Sequence, residues 1–467
     1  MKIGLVCEGS YPYVSGGVSS WTQGLIEGMP EHRFTILAII PAAEDQVLQY
    51  KLPPNVDTII DIPIQFERRS GVKKPSFSLT DDEFNLIASF FERNNPSAEV
   101  LHLLHALLQD VSPSSFFQSD IFYEIAKRCS KAEQNANFIE YYYMLQGMYL
   151  PVLTILQQPM PKLDVIHSVS TGYAGLLATR IATDQRIPFL LTEHGIYTRE
   201  REEDILLSDW IPESFKIGWI RFFQHLGMYA YQHAHSVITL FEQNSRLQEA
   251  NGAPTEKLSI IPNGVVLPAG KPSVTRESKT FQIGSVLRVV PIKDIKTMLY
   301  AARELKDRGI LFNWQVLGPM SENPVYAAEC LELLDQLQLS KDVIFTGKVN
   351  VKDYLPTFDL MVLSSLSEGQ PLSILEAFSY CVPCIATDVG SCRELIEGTL
   401  TDTTGDAGIV VNPLDSQAMA EAIIHLMQHE ELRCEMGIVA RQRVSKRYLQ
   451  TQMLSAYQIL YKKGVTY

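Results

Sequence analysis

No run of apolar residues in this chain of 467 approaches the roughly 18 that a membrane-spanning helix needs. The opening MKIGLVCEGS holds only a short apolar run before Glu8, which reads as a first strand and not a signal peptide. The chain is therefore expected to be cytoplasmic. Basic residues are in the minority: 40 Lys and Arg against 53 Asp and Glu, a net charge of −13, with no dense basic cluster. Nucleic acid as a main partner wants a basic face, so that class is excluded, although a local basic pocket is not. The seven cysteines are an odd number without regular spacing, which rules out a disulfide framework. Cys381 and Cys384 form a C-x-x-C, yet no second pair or nearby histidine completes a zinc site. They are read as small core residues, and no metal is expected. No internal repeat of roughly 20–50 residues and no low-complexity tract is apparent.

What is present is ordinary globular composition, 46% hydrophobic and 20% charged, over a length that suggests two or three domains. Strands and helices alternate at both ends. Lys2–Cys7 reads as a strand, a loop passes Gly16–Gly17, a helical pattern follows from Val18 to Met29, and Phe34–Ile40 is a second strand. From about 64 to 161 the periodicity is helical and aromatic-rich, an insertion and not a βαβ unit. Strands resume at Val165–Ser168, Phe189–Thr192, Ser236–Thr239 and Leu258–Ile261. The Pro-, Gly- and Ser-rich segment 261–280 reads as a linker. A second α/β set runs from Phe281 to about Asn412, and the tail from Ala418 to Tyr467 is helical. Domains are expected at 1–268, with the insert inside it, and at 276–447.

The most informative stretch is Ser364–Asp388, SSLSEGQPLSILEAFSYCVPCIATD. Leu360–Leu363 predicts a strand, followed by a loop, a short helix and a strand at Cys384–Ala386. Pro371 suits the first helical position, where a missing N–H costs nothing. The loop Ser367–Gln370 then lies at the positive end of a helix, aimed at an anion. Glu368 and Glu376, eight residues apart, cannot act as one pair within a regular helix. One on the loop and one in the helix can grip two hydroxyl-bearing parts of a ligand, and a sugar and a ribose joined by a diphosphate fit that layout.

Three further segments carry chemistry. In GSVLRVVPIKDIK, 284–296, Arg288 supplies a planar fork and Lys293 a point charge, together suited to two phosphates. Gly16–Gly17 lets backbone N–H groups approach a phosphate or sugar with no Cβ in the way. Glu8 and Tyr11–Tyr13 share that loop and could contact sugar or acceptor. In LLTEHGIYTRERE, His194 follows a strand and projects at its carboxyl end, where open α/β sheets bind ligands. Arg199 and Arg201 read equally as acceptor contacts or as part of a solvated charge run with Glu200, Glu202, Glu203 and Asp204. His167, His233 and His235 read as structural, and none has a metal-ligand spacing.

Glu368, Gly369, Pro371, Glu376, Ala377 and Pro383 resemble the Glu-x7-Glu motif of retaining glycosyltransferases of family four, with Cys381 where that family usually has glycine. Arg288 and Lys293 resemble the same family's G-R-x-x-x-x-K signature. The resemblance implies the GT-B fold: two Rossmann-like domains facing across a cleft, here with a helical insertion, and a last helix, about 448–467, returning to the first domain. It implies Arg288 and Lys293 as cations stabilising the leaving diphosphate, so that no divalent metal is needed. Glu368 would hold sugar hydroxyls and Glu376 the ribose, with backbone groups of Gly369, Gln370, Pro371 and Leu372 at the helix end. Gly347 and Val349 would read the nucleobase, and His194 would lie near the transferred sugar. Gly16 and Gly17 would contact the donor; Tyr13, Arg199 and Arg201 are acceptor candidates. GSYPYVSGGVSSW, TEHGIYTRERE, VVPIKDIKTM, SLSEGQPLSILEAF and TDVGSCRELIEG, in that order, resemble the cytoplasmic glycosyltransferases of Pel-type exopolysaccharide systems. That narrower likeness implies a UDP-sugar donor, UDP-glucose favoured, a saccharide acceptor, and an inner-membrane polysaccharide synthase complex as partner. A nucleotide-sugar epimerase of the same fold and a noncatalytic sugar-nucleotide-binding subunit are the alternatives.

Overall fold

The computed structural model describes residues 1–42, 46–64, 75, 77–94, 96–131, 137–270, 280–399 and 401–465. The start of the expected insert (65–74), part of the expected linker (271–279, including the expected domain start at 276) and the last two residues lie outside them.

The chain forms two compact units, Met1–Ile261 with Ala456–Tyr467, and Pro262–Ser455. In the first, seven strands lie in one sheet: β1 (Lys2–Glu8), β2 (Arg33–Ile40), β3 (Val56–Pro63), β4 (Val165–Ser168), β5 (Phe189–Glu193), β6 (Ser236–Thr239) and β7 (Leu258–Ile260). Their order is β3-β2-β1-β4-β5-β6-β7, and every pairing is parallel. Strands buried on both faces need unbroken apolar runs, and ILAII in β2 and FLL in β5 supply them. β3 is absent from the sequence reading. Its VDTIIDIP mixes acidic and apolar residues because it is an edge strand with only one neighbour.

Between β3 and β4 stand the helices Asp81–Phe91, Ala98–Leu107, Pro113–Phe116, Asp120–Ser130 and Phe138–Gln157. The first opens on a capping box, the Thr80 hydroxyl accepting from the Glu83 N–H while the Glu83 carboxylate accepts from the Thr80 N–H. Aromatic edges fill this insert. The rings of Phe91 and Tyr149 are 4.3 Å apart, those of Phe117 and Phe122 4.6 Å. Its buried residues form one continuous core with Val6, Leu37 and Leu191 of the sheet, so the insert is part of the unit and not an appendage.

The second unit repeats the plan with β8 (Phe281–Val286), β9 (Phe312–Leu317), β10 (Val343–Gly347), β11 (Leu360–Leu363), β12 (Cys384–Thr387) and β13 (Gly408–Val411). The parallel order is β10-β9-β8-β11-β12-β13. Both sheets therefore reverse direction of winding once, between β1 and β4 and between β8 and β11. Such a switch point leaves a crevice at the carboxyl ends of the strands, where doubly wound sheets bind ligands.

The division of the chain falls at Ile261/Pro262, ahead of the 268–276 expected from the Pro- and Gly-rich segment. The reason is local bonding: Val265 donates to Tyr448 O at 2.8 Å and accepts from the Gln450 N–H at 3.1 Å, which ties it to the second unit. The last helix runs Gln450–Val465, and its residues from Ala456 on count with the first unit. No helix among the described residues is long and apolar enough to cross a membrane. Cys7, Cys129, Cys330, Cys384 and Cys392 are buried, and burial pushes the thiols of Cys7 and Cys129 up to about 12.

Candidate functional site

In the second unit, the chain leaves β11 through Ser364–Ser365 and enters the loop Leu366–Gln370. Lys293 ends a short turn, Pro291–Lys293, just past β8, the strand next to β11. The backbone then passes through Asp294 with φ 45, left-handed, and that residue caps the helix Ile295–Asp307 by accepting the Thr297 N–H at 3.3 Å. The turn aims Lys293 Nζ at Glu368 Oε1, 2.5 Å away, with both side chains largely withdrawn from solvent. Ser365 Oγ donates to the same carboxylate oxygen at 2.6 Å, and Ser364 Oγ donates to Lys293 O at 2.8 Å. Two residues 75 apart in sequence thus form one charged pair at the switch point.

Arg288 follows β8 and is half exposed. It pairs with Glu322, a residue the motif search did not single out because nothing marks it in sequence. Glu376 lies in the helix Leu372–Ser379. Desolvation raises its pKa, offset in part by Lys352, and its carboxylate takes no hydrogen bond from a described residue. The helix begins at Leu372: Pro371 is the cap, with φ −70 and ψ 112, and not the first helical residue as expected. An extended ψ there turns the loop away before the helical hydrogen bonds start. Gly369 O accepts from the Ser391 N–H at 3.0 Å, and the Gln370 side chain is buried against Asn263. Cys381, which replaces the family's glycine, sits at φ 59, the left-handed region where glycine is at ease. Gly347 closes β10 at φ 71 with no atom within 4 Å of where a Cβ would stand, and Val349 packs half-buried beyond it.

In the first unit, Gly16 and Gly17 lead into the helix Gly17–Glu27. No acidic residue stands in the first turn and no side chain caps it, and a Cβ at either glycine would meet nothing within 4 Å. The protein itself does not require glycine there. Tyr13 Oη donates to Asp61 at 2.8 Å, and burial helps push its hydroxyl up to about 12.

His194 follows β5 directly. Its ring meets Trp21 edge-on at 4.7 Å, Nε2 has no hydrogen-bond partner among the described residues, and burial lowers its pKa to about 4. At neutral pH the imidazole is uncharged. Trp21 also packs on Tyr457 of the last helix, which hydrogen-bonds Thr192 at 3.0 Å. Thr192 in turn meets His167 Nε2 at 2.9 Å, and His167 Nδ1 meets Tyr461 at 2.7 Å. This brace behind His194 was not legible, because its members come from four distant segments.

Next to it, Glu193 is fully buried and accepts from Tyr231 at 2.7 Å, Gln248 at 3.0 Å and Thr171 at 3.1 Å. Glu8, at the end of β1, accepts from Tyr197 Oη at 2.6 Å and from the Ala174 N–H at 3.2 Å. Burial raises the pKa of both carboxyls. An acidic residue ending an otherwise apolar strand, as in FLLTE, was the available signal for Glu193. Arg201 pairs with Asp204 at 2.8 Å and lies over the Tyr197 ring, whereas exposed Arg199 pairs with Glu203 at 3.2 Å along the helix Tyr197–Leu207.

The family profile described as domain of unknown function (DUF3492) matches residues 1–256, more than half of the chain. The chain belongs to the DUF3492 family. In this DUF3492 member, residues 280–429 match a second profile, Glycosyl transferases group 1, which spans β8 to β13 and every motif residue of the second unit. Among curated proteins it is similar to the N-acetyl-α-D-glucosaminyl L-malate synthase of Bacillus anthracis, 36% identical over 132 residues, 28% of this chain and 33% of that one. It is 26% identical over 250 residues, 50% of this chain and 62% of the other, to the N,N'-diacetylbacillosaminyl-diphospho-undecaprenol α-1,3-N-acetylgalactosaminyltransferase of Campylobacter jejuni. The DUF3492 chain thus spans 33% and 62% of the lengths of these two relatives. A solved structure of HepE from Anabaena in complex with UDP-glucose shares the fold, at TM-score 0.62 and 14% identity over 99% of this chain and 100% of that one. The fold class is GT-B, with two Rossmann-like parallel-sheet domains.

Proposed function

We propose that the chain is a retaining glycosyltransferase that moves a sugar from a UDP-sugar, UDP-glucose favoured, to a saccharide hydroxyl in Pel-type exopolysaccharide synthesis. The observation that carries the reading is the Lys293–Glu368 pair at the switch point of the second sheet, with the desolvated carboxyl of Glu376 on the helix that follows. In this reading Glu368 orients Lys293 and keeps its second oxygen for sugar hydroxyls, while Glu376 accepts from the ribose. Lys293 and Arg288 neutralise the diphosphate as the glycosidic C–O bond breaks. That charge develops only on the way to the transition state, so these contacts lower the barrier and do more than hold substrate.

No side chain is assigned as a nucleophile. Retention then implies same-face attack, the leaving phosphate taking the acceptor's proton. Both curated relatives are named for α-glycosyl products, and an α product from an α-linked nucleotide sugar is retention. A neutral His194 is a hydrogen-bond partner for the sugar and not a proton donor. Side-chain cations do the work of a metal here, so none is part of the reading. Gly347 and Val349 remain assigned to the base, Gly16 and Gly17 to the donor, Tyr13, Arg199 and Arg201 to the acceptor. The partner is an inner-membrane synthase complex to which a cytoplasmic chain is recruited.

Calorimetry with UDP-glucose, UDP-N-acetylglucosamine, UDP-N-acetylgalactosamine and GDP-mannose, without added metal, tests the donor. One UDP-sugar should bind, and Glu376→Ala should weaken that binding. Equal binding by wild type and variant would remove Glu376 from the site, and no binding by any donor would sink the reading.

A further inference from the structure

Asn263 belongs to none of the motifs that point to the donor, yet it touches their loop twice. Its N–H donates to Gln370 Oε1 at 2.6 Å and its Nδ2 to Gln370 O at 3.2 Å. Both residues are buried, 3% and 6% exposed, so these bonds replace water that neither group can reach. The next residue, Gly264, lies flat on the chain at 449–450, where an added Cβ would fall 2.5 Å from Gln450 Cα. Val265 then pairs with Tyr448 and Gln450 through two backbone hydrogen bonds. The loop's other side is equally close: Gly390, at φ 54, leaves no room for a Cβ against Glu368 O at 2.1 Å.

We propose that Asn263 is a positioning residue for the loop Glu368–Pro371, acting through Gln370 and not by touching substrate. The segment Asn263–Val265, the first stretch of the second unit after Ile261, is thereby part of the same braced piece as the Glu368 loop and the strand of chain at 448–450. Gln370, whose backbone is expected at the donor, has its side-chain oxygen engaged in this brace. The proposal rests on the donor reading of Glu368 given above.

The test uses the full chain without ligand. Asn263→Ala deletes the Nδ2 bond, and Gln370→Ala deletes the Oε1 bond. The reporter is the Ser391 N–H, which donates to Gly369 O and is touched by neither change. Its hydrogen exchange should quicken roughly 10-fold in each variant, the cost of about one buried hydrogen bond. The Trp314 N–H, bonded to Asp342 O in the sheet, should not change, which shows that the unit stays folded. Asn263→Asp, which turns a carboxylate oxygen toward Gln370 O, serves as a third variant and should behave alike. Calorimetry of UDP-glucose on the same proteins should show affinity falling in step with the exchange. Unchanged exchange at Ser391 would overturn the brace. Quickened exchange with unchanged UDP-glucose affinity would overturn the positioning role. Absence of nucleotide binding by wild type itself, with exchange still quickened, would keep the brace and remove the donor reading beneath it.

Discussion

At the carboxyl edge of the second sheet, charges face each other: Lys293 meets Glu368, and Arg288 meets Glu322, partly open to water. At the matching edge of the first sheet, the same topology holds groups whose charged forms burial disfavours. His167 and His194 are lowered to about 3 and about 4, and the carboxyls of Glu8 and Glu193 are raised. His167, Glu8 and Glu193 sit in networks with tyrosine hydroxyls. The contrast teaches that strand order fixes where a site lies but not its electrostatics. An edge with cations suits a diphosphate, and a desolvated hydrogen-bonding edge suits hydroxyls.

The strongest way to break that comparison is Lys293→Ala. Turnover, read as UDP release, should fall on the order of 100-fold to 1000-fold, as when a donor to a developing anion is lost. Unchanged turnover would mean that the pair with Glu368 is only structural. Next is Gly17→Ala, which meets no protein atom. The melting temperature should hold, whereas turnover should drop on the order of 100-fold if a ligand approaches there and is pushed away by about 1 Å. Loss of stability instead would show that the glycine serves the fold.

Glu376→Ala should weaken UDP-sugar binding roughly 10-fold to 100-fold, the range for a hydrogen bond to a charged group. Because burial raises the Glu376 pKa, the binding carboxylate form is present above that pKa and lost as pH falls through it. Donor affinity should decline on acidification before ordinary carboxylates titrate, and a flat profile in wild type would remove the carboxylate from binding.

The smallest effect concerns the first unit's neutral histidines. His225 is buried against Phe90 and Tyr229, neither ring nitrogen has a hydrogen-bond partner among the described residues, and its pKa is lowered to about 4. Between that value and the ordinary 6.5 the unfolded chain binds the extra proton, so stability is full above 6.5 and is lost as pH falls. The slope is at most about 1.4 kcal/mol per pH unit for one group. His225→Phe should leave the pH 7 unfolding free energy within about 1 kcal/mol of wild type and flatten its fall toward pH 5. A slope unaltered by the change would assign the acid lability elsewhere.

Much of this was legible in local sequence. Apolar runs marked β1, β2, β5 and β11, and the spacing of Glu368 and Glu376 put one on a loop and one in a helix. Arg288 and Lys293 were recognisable as cations just past a strand. Edge strand β3 was not, because half-exposed strands lose the apolar run that identifies them. Neither was the partner of each motif residue: Glu322 for Arg288, Trp21 for His194, Asn263 for Gln370.

By itself the sequence determined two sets of alternating strands and helices, the helical insert within the first of them, and which residue types stand at the strand ends. Those follow from periodicity and glycine or proline placement, which act over a few residues. Only the tertiary structure decided that Lys293 meets Glu368 across 75 residues, that His194 stays neutral behind Trp21 and Tyr457, and that Gln370 is spent on Asn263. Charge state and hydrogen-bond partnership depend on burial and distance in space, and neither is written in neighbouring residues.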